Sequence, residues 1–296
     1  MNLRTAVIIA TKNRPQDITN LVSTLAQQTV RPDLIVVSAC DRDDVGKDNF
    51  IGTNIELIFG TPGSAVQRNR ALSVVRGKFD VIIFFDDDFV PSRFWIERIH
   101  GFLAIEPEVM CVTGHVLSDG VLSGRLRWAE GQLLVEKVDS SVLTKAIVNC
   151  TIVDREFPYG CNMAFRAKSI EQLTFDERLV LYGWLEDRDF AFRASSKGRM
   201  VWTDAVWGVH LGTTGGRSSG LRFGYSQVVN PWYLMRKGTM GRRDGFLNMF
   251  RGLVGNALGS VFSRSRIDRW KRLKGNMIGI GDIVLGRWAP ERASEL

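Results

Sequence analysis

The chain has 296 residues, of which 45% are hydrophobic and 24% charged. This is the composition of an ordinary globular protein, so it excludes a disordered or collagen-like chain. No apolar run approaches the roughly 18 residues of a membrane-spanning helix. The four cysteines are widely spaced, which predicts reduced thiols. Because residues 1–10 lack the features of a secretion signal, we expect a cytoplasmic protein.

The charge of the chain is unevenly distributed. Residues 217–296 hold 15 Lys and Arg against 5 Asp and Glu, whereas residues 1–216 hold 24 against 27. This asymmetry predicts one domain over residues 1–216 and a basic extension over residues 217–296.

Strand and helix signals alternate along the first part of the chain. Short apolar runs predict strands at residues 5–10, 34–37, 55–59 and 81–85. A helix is predicted after the first strand, with Pro15 in its first turn, and another over residues 64–75, before Gly77. The fourth strand is apolar throughout, which is typical of a strand buried on both faces of a parallel sheet. The pattern predicts an α/β fold.

The second part of the chain gives weaker signals. Alternating apolar patches in residues 115–156, such as residues 132–138, predict a hairpin or an insertion. Beyond them, the predicted elements are a turn and strand at 159–165, a helix at 186–196, and two short strands at 200–203 and 205–209 that lead to His210.

Polar residues follow three of the predicted strands. They are the run from Thr11 to Arg14, the Asp41 loop, and an acidic turn of Asp86, Asp87 and Asp88. Ligands of such sheets bind outside the carboxyl ends of the strands. Three adjacent carboxylates repel one another unless a cation or hydrogen bonds offset their charge. Mg2+ and Mn2+ prefer carboxylate ligands together with substrate phosphates, which fits a nucleoside diphosphate; the alternative is a solvated acidic turn.

A second acidic feature begins a predicted helix. The dipole at a helix start keeps the carboxylates of Glu186 and Asp187 ionised and so available as a base, and Trp184 beside them offers an aromatic face for a sugar ring. The alternative is the ordinary preference of acidic residues for helix starts, with Asp189 and Arg193 paired four residues apart.

Two further residues are candidates for binding. Arg68 lies one turn into a predicted helix, where an anion can meet both its guanidinium and the helix terminus; a surface arginine is the alternative. His210 precedes a glycine-rich segment, residues 212–216, which suggests a mobile lid. An isolated histidine is more often structural than a ligand.

The basic extension has the pattern of amphipathic helices. Apolar residues recur at intervals of three and four from Phe246 to Val261. The basic residues that follow surround Trp270; they are Arg264, Arg266, Arg269, Lys271, Arg272 and Lys274. This profile is typical of a segment lying on an anionic membrane surface. Alternatively, the helices pack on the rest of the chain or on a second subunit of a homo-oligomer. We expect no nucleic-acid partner, because the first domain is acidic.

Taken in order, these motifs resemble those of family-2 glycosyltransferases with the GT-A fold. The motifs are Thr11 to Pro15, the Asp41 loop, Arg68-Asn69, the acidic turn, Glu186-Asp187 and His210. The resemblance covers roughly residues 4–212. It implies a Rossmann-like mixed sheet flanked by helices, with a nucleotide-sugar half over residues 1–114 and an acceptor half over residues 115–216, followed by the amphipathic helical extension.

The resemblance also implies site residues. Those implied in substrate binding are Thr11, Asn13, Arg14, Asp41, Arg68, Asp86, Asp87 and Glu186, and the aromatic face of Trp184 adds a further candidate. Asp88, His210 and Asp86 are implied as ligands of Mn2+ or Mg2+, and Asp187 as the base. Family members usually have an aspartate directly after the second strand, where this chain has Ser38.

The implied reaction is the inverting transfer of a sugar from a nucleoside-diphosphate sugar to a saccharide or lipid-linked saccharide, in the synthesis of cell-surface polysaccharide or glycolipid. A nucleotidyltransferase is one alternative, although that chemistry is expected to use a glycine-rich phosphate-binding loop after the first strand, and residues 11–15 contain no glycine. A binding module without turnover is another. A membrane-bound extension would make the protein peripheral on the inner face of the cell membrane.

Overall fold

The computed structural model describes residues 3–46, 54–142, 146–213, 219–262 and 268–296. The strands in these ranges are β1 (Thr5–Ala10), β2 (Leu34–Ala39), β3 (Ile55–Phe59), β4 (Val81–Asp86), β5 (Phe89–Pro91), β6 (Val109–Asp119), β7 (Ile152–Asp154), β8 (Asn162–Arg166) and β9 (Arg199–His210). The helices are α1 (Pro15–Ala26), α2 (Ser64–Val75), α3 (Trp95–Ile105), α4 (Gly120–Ser123), α5 (Trp128–Val142), α6 (Ala167–Ile170), α7 (Glu186–Ala194), α8 (Gly220–Lys237), α9 (Arg242–Phe262) and α10 (Arg269–Val284). Thr214, Gly215 and Gly216 of the predicted lid, and Arg264 and Arg266 of the basic run, lie outside the described ranges.

The strands form one mixed sheet in the order β3-β2-β1-β4-β8-β6-β9-β5, with β7 paired to β9. β1 is parallel to β2 and β4, and β2 is parallel to β3. β8 is antiparallel to both β4 and β6, and β6 is parallel to β9. The carboxyl ends of β1, β2, β4, β6 and β9 therefore lie at the same edge of the sheet. The predicted mixed α/β sheet is confirmed.

The four strands predicted in the first part of the chain are present, and β4 shows why they are apolar. All its residues except Asp86 are buried, as expected of a central strand covered on both faces. On one face Phe85 packs against Phe89 and Trp95, with ring centroids 5.2 and 4.9 Å away. The hydrophobic core thus holds the strand whose end carries the acidic turn.

Residues 132–138 do not form a hairpin; they belong to helix α5. The buried face of this helix carries Gly131, Val135 and Asp139 at intervals of four. Asp139 is buried because its Oδ1 accepts a hydrogen bond from Trp207 Nε1 at 2.8 Å. Since two of the three buried positions are small or charged, the hydrophobic pattern did not indicate a helix.

The two short strands predicted before His210 are a single strand, β9. Its pairing with β6 shifts register around Asp204. A bulge therefore accommodates this polar residue without ending the strand.

The chain divides into two compact units. The first comprises Met1–Pro62, Gln67–Thr174 and Ala194–Gly216 and holds the sheet, and the second comprises Gly63–Val66, Phe175–Arg193 and Arg217–Leu296. The domain boundaries inferred from charge stay a prediction. Among the described residues, no helix is both long and apolar enough to cross a membrane.

Helices α8 and α10 of the second unit approach each other through glycine. A Cβ added to Gly224 would lie 2.7 Å from Arg272 Cα, closer than side chains normally pack. Asn276 Nδ2 of α10 donates to Gly224 O at 2.7 Å. Asn256 Nδ2 of α9 donates to Asn276 Oδ1 at 2.8 Å. The three helices are therefore joined by close backbone packing and buried amides.

Gly224→Ala is expected to lower the free energy of unfolding by about 1–3 kcal/mol, because the added methyl group has no space between α8 and α10. Gly255→Ala is the matched control, since a Cβ there meets no atom within 4 Å. The control should stabilise by roughly 0.5–1 kcal/mol through helix propensity. Urea denaturation measures both, and equal effects of the two substitutions would contradict the packing argument.

Candidate metal centre and active site

Three strands end in a polar residue at the same edge of the sheet: β4 at Asp86, β6 at Asp119 and β9 at His210. The sheet pairs Ala10 with Asp86 and Asp119 with His210. Thr11, which follows β1, lies at this edge as well. The fold thus gathers residues from distant parts of the sequence.

Asp86, Asp88 and His210 form a group suited to holding a metal ion. Each offers one ligand atom, and these atoms lie within 4.8 Å of one another. His210 Nε2 is 3.4 Å from Asp88 Oδ1, and these two side chains are only 4% and 2% exposed. Carboxylate oxygens suit Mg2+ and Mn2+, and imidazole is a common further ligand of transition metals. The structure therefore brings the three predicted ligands together.

Two arginines contact the acidic turn. Arg14 Nη1 lies 2.5 Å from Asp87 Oδ1 and 3.6 Å from Asp88 Oδ1. Arg68 Nη2 lies 2.9 Å from Asp86 Oδ1. Three carboxylates thus face two guanidiniums, so the arginines alone leave negative charge that a protonated His210 or a bound cation offsets. This balance fits a divalent metal ion.

The titration of the cluster follows from its burial and charges. Burial raises the pKa of Asp87, although Arg14 lowers it. Burial also opposes ionisation of Asp88, but the hydrogen bond and charge of His210 bring its pKa below the usual value. Burial lowers the pKa of His210, whereas Asp119 and Asp88 raise it, to about 10. Metal-free His210 therefore carries a proton on both ring nitrogens, and a bound metal would displace one of them.

Thr11 and Arg14, implied to bind the nucleoside, are bonded to the acidic turn and to the backbone near it. Thr11 Oγ1 donates to Asp87 Oδ2 at 2.7 Å. Arg14 Nη2 donates to Thr213 O at 2.9 Å. Their side chains therefore fix the position of the turn that carries two of the candidate metal ligands.

The loop after β2 is organised by Asp44 rather than by Asp41. Asp44 is buried, and its carboxylate accepts from Asn13 N at 2.6 Å and Cys40 N at 2.7 Å. Asp41 is exposed, and its Oδ1 accepts from Asp43 N at 2.9 Å. Asn13 adopts a left-handed backbone with φ 55°. Asp44 thus joins the loop after β1, which contains Asn13, to the loop after β2. The sequence did not reveal this role, because Asp41, Asp43 and Asp44 carry the same charge.

Two residues beside His210 were missed by the motifs. Asp119 Oδ1 lies 3.1 Å from His210 Nδ1. Tyr159 OH lies 3.1 Å from the same nitrogen and donates to Asp119 Oδ2 at 2.8 Å. Strand β6, which ends at Asp119, was not predicted, so no sequence signal placed this acid at the edge of the sheet.

The second unit holds the other acidic pair. Glu186 and Asp187 are the first residues of α7, as predicted. Asp187 is partly buried, and its Oδ1 accepts from Arg188 N at 2.8 Å. Glu186 is buried, and its Oε1 accepts from Ser64 Oγ at 2.5 Å. The two carboxylates therefore differ in surroundings, and Asp187 is the more exposed.

The segment before α7 has an unusual backbone. Leu181 and Leu185 have positive φ values of 63° and 73°, which cost about 1–3 kcal/mol each in a residue with a side chain. Between them, Trp184 packs against Phe223 with ring centroids 5.3 Å apart, and its carbonyl accepts from Asn230 Nδ2 at 2.9 Å. This packing holds the strained segment, and with it the Trp184 ring, in one conformation.

Known protein families and solved structures are similar to this chain. Residues 6–174 match the model of the glycosyl transferase family 2. TarS from S. aureus is 13% identical with a TM-score of 0.55, covering 97% of this chain and 83% of that one. No curated protein sequence matches the chain.

Two further solved structures are similar. The mannosyltransferase PcManGT from Pyrobaculum calidifontis, in complex with GDP-Man and Mn2+, is 14% identical with a TM-score of 0.54, covering 96% of this chain and 87% of that one. GalNAc-T7 with UDP, GalNAc and Mn2+ is 14% identical with a TM-score of 0.56, and the match covers 97% of this chain and 58% of that one. At such identities the likeness shows the fold, and it confirms the predicted GT-A architecture.

Proposed function

Because this chain belongs to the glycosyl transferase family 2, we propose that it transfers a sugar from a nucleoside-diphosphate sugar to an acceptor hydroxyl, with inversion at the anomeric carbon. The observation that carries the proposal is the convergence of Asp86, Asp88 and His210 at the carboxyl edge of the sheet. Ligands of such sheets bind at this edge, and the donor diphosphate would supply the remaining oxygen ligands of a divalent cation.

The donor site is assigned to the loops at this edge. Thr11, Asn13, Arg14 and Asp41 would lie along the nucleoside, and Asp86 and Asp87 along the ribose and diphosphate. Arg68 adds a buried positive charge beside Asp86. Asp86, Asp88 and His210 would hold Mn2+ or Mg2+, which when bound offsets the negative charge that develops on the departing diphosphate.

The acceptor is assigned to the second unit. Asp187 would take the proton from the acceptor hydroxyl as its oxygen attacks the anomeric carbon from the face opposite the diphosphate. General-base catalysis of this kind is worth about 10²–10⁴ in rate. Trp184 would support a sugar ring, and the buried Glu186 would fix the start of α7 through Ser64.

A panel of nucleotide sugars tests the reaction. The full chain is incubated with Mn2+ and each donor, beginning with GDP-mannose and UDP-GalNAc, and its melting temperature is recorded. We expect one donor to raise the melting temperature, and we expect turnover of that donor to release free nucleoside diphosphate. Release of pyrophosphate when a nucleoside triphosphate and a sugar 1-phosphate replace the nucleotide sugar would instead indicate the nucleotidyltransferase alternative. Binding without release would indicate a module that lacks turnover, and NMR of the product would show whether the anomeric configuration inverts.

We also propose that the extension lies on an anionic membrane surface at the inner face of the cell membrane, with a lipid-linked acceptor. Phe246, Phe250 and Val261 of α9 are 54%, 61% and 73% exposed and share one face of the helix. Arg242 and Arg251 are exposed on the same helix. An apolar face bordered by cations suits an interfacial helix.

Helix α10 repeats this arrangement. Trp270, Met277 and Val284 recur every seven residues and are 68%, 57% and 79% exposed. Lys271 and Lys274 are exposed beside them. An apolar helix face facing water is costly, which supports a partner for both helices.

Replacing Phe246 and Phe250 together by Ser is expected to weaken binding to phosphatidylglycerol vesicles at least about tenfold, because two large apolar side chains no longer leave water. Flotation measures the bound fraction. The matched control replaces Leu122 and Leu133 of the first unit, which are 85% and 67% exposed, and should bind as the unaltered chain does. If the full chain does not float with the vesicles and sediments as a dimer, the membrane proposal is wrong and the helices pack on a second subunit.

A further inference from the structure

We propose that Asp119 is a positioning residue that orients His210 as a metal ligand, with Tyr159 holding the Asp119 carboxylate in place. The inference rests on the metal centre of the proposed function. The two nitrogens of His210 face different partners: Nε2 lies 3.4 Å from Asp88 Oδ1, on the side of the candidate metal ligands, and Nδ1 lies 3.1 Å from Asp119 Oδ1.

The sheet itself sets this pair. β6 and β9 are parallel neighbours, and their last residues, Asp119 and His210, are directly paired in the ladder. Adjacent strands lie about 4.8 Å apart, so the two side chains reach each other without any loop between them. The pairing makes the contact a property of the sheet register.

Asp119 is fixed by contacts on both oxygens. Its Oδ1 also accepts from Val121 N at 2.9 Å, which caps the short helix α4. Its Oδ2 accepts from Tyr159 OH at 2.8 Å. The Tyr159 ring stands edge-on to the His210 ring, with centroids 5.6 Å apart. Tyr159 N donates to Thr113 Oγ1 on β6 at 3.1 Å, which anchors the tyrosine to the same strand as Asp119.

This arrangement determines what His210 can offer a metal. An imidazole that donates Nδ1–H to a carboxylate has its lone pair on Nε2, and its ring cannot rotate without losing the hydrogen bond. Nε2 is the nitrogen that faces Asp88. The carboxylate therefore selects both the tautomer and the direction of the ligand atom, and the Tyr159 ring limits rotation.

The alternative role for Asp119 is purely structural, as the cap of α4. Asn is as good a helix cap as Asp, so Asp119→Asn keeps the capping oxygen while removing the charge that holds Nδ1–H. A substitution that preserves the cap yet impairs the metal centre separates the two roles.

The test measures Co2+ and Mg2+ affinity of the full chain by calorimetry, without donor or acceptor. Cobalt favours imidazole ligands and magnesium favours oxygen. We expect Asp119→Asn to weaken Co2+ binding about 10–100-fold and Mg2+ binding less, so that the ratio of the two affinities falls. Tyr159→Phe should change the ratio in the same direction by a smaller factor. Asp154→Asn, which removes an exposed partner of Arg199, is the matched control and should leave both affinities unchanged.

A double-mutant cycle shows whether Asp119 acts through His210. In a His210→Ala background, Asp119→Asn should have no further effect on Co2+ affinity. An equal loss for both metals, or the same loss in that background, would overturn the proposal. Absence of metal binding by the unaltered chain would overturn it together with the metal centre, whereas sugar transfer measured in the same preparation reports separately on the proposed reaction.

Discussion

Asp187→Asn is expected to lower the rate of sugar transfer by about 10²–10⁴ while leaving donor affinity unchanged. The amide has nearly the shape of the carboxylate and keeps an oxygen to accept from Arg188 N, a contact of 2.8 Å in this structure. It cannot take a proton from the acceptor hydroxyl. The loss should therefore appear in kcat, with the dissociation constant of the nucleotide sugar, measured by calorimetry, unaltered.

Two variants make this result specific. Glu295→Gln removes a carboxylate from an exposed position of the same unit and should transfer sugar at the normal rate. Glu186→Gln removes the neighbouring acid, which accepts from Ser64 Oγ, and should reduce stability as well as turnover. Unchanged kcat in Asp187→Asn, or a loss confined to donor affinity, would remove the assignment of the base.

The sheet and its polar edge could be predicted from the sequence because a central strand gives two strong signals, an apolar run and polar residues directly after it. An uninterrupted apolar run such as the one before Asp86 has few structural solutions, and polar residues directly after it must lie at the strand end. The convergence of the candidate metal ligands at this edge could be predicted for this reason. His210 was placed correctly because it too directly follows a recognisable apolar run.

The residues that hold the site in place could not be predicted from the sequence in this way. Asp44 cannot be distinguished from Asp41 by charge, since only burial and hydrogen bonding separate them. Gln67 donates through Nε2 to both Thr11 O and Ser38 O, at 2.8 and 2.7 Å, and so joins two loops. An uncharged side chain that bridges two backbones leaves no pattern in a sequence.

Helix α5 was not predicted from the sequence for a related reason. Its buried face depends on a glycine and on Asp139, which becomes a core residue only because Ser92 Oγ and Trp207 Nε1 donate to it. Tertiary hydrogen bonds of this kind override the hydrophobic period from which helices are inferred. The same holds for Asp119, whose significance depends on pairing between two strands far apart in the chain.

Asp88→Asn is expected to weaken Mn2+ binding by at least about 100-fold, since losing a ligand should cost no less than the 10–100-fold typical of outer contacts, while the metal-free protein keeps its stability. The side chain is 2% exposed and accepts from Thr213 N at 2.7 Å, a bond that an amide oxygen can still make. Removing one of three neighbouring charges also relieves repulsion within the turn. In the metal-free protein His210 and Arg14 already hold the pKa of Asp88 below its usual value, so the variant loses these contacts while it relieves the repulsion, and the two effects oppose each other.

Thermal melting with and without Mn2+ measures both parts of this prediction. At a concentration of 100 times its dissociation constant, a ligand stabilises the native state by about 2.7 kcal/mol, and a 100-fold weaker site at the same concentration by only about 0.4 kcal/mol. The rise in melting temperature caused by Mn2+ should therefore almost vanish in Asp88→Asn and persist in Asp154→Asn. If Asp88→Asn melts well below the unaltered protein in the absence of metal, Asp88 stabilises the fold itself. An acid whose role is to bind a cation should contribute little to the stability of the metal-free protein.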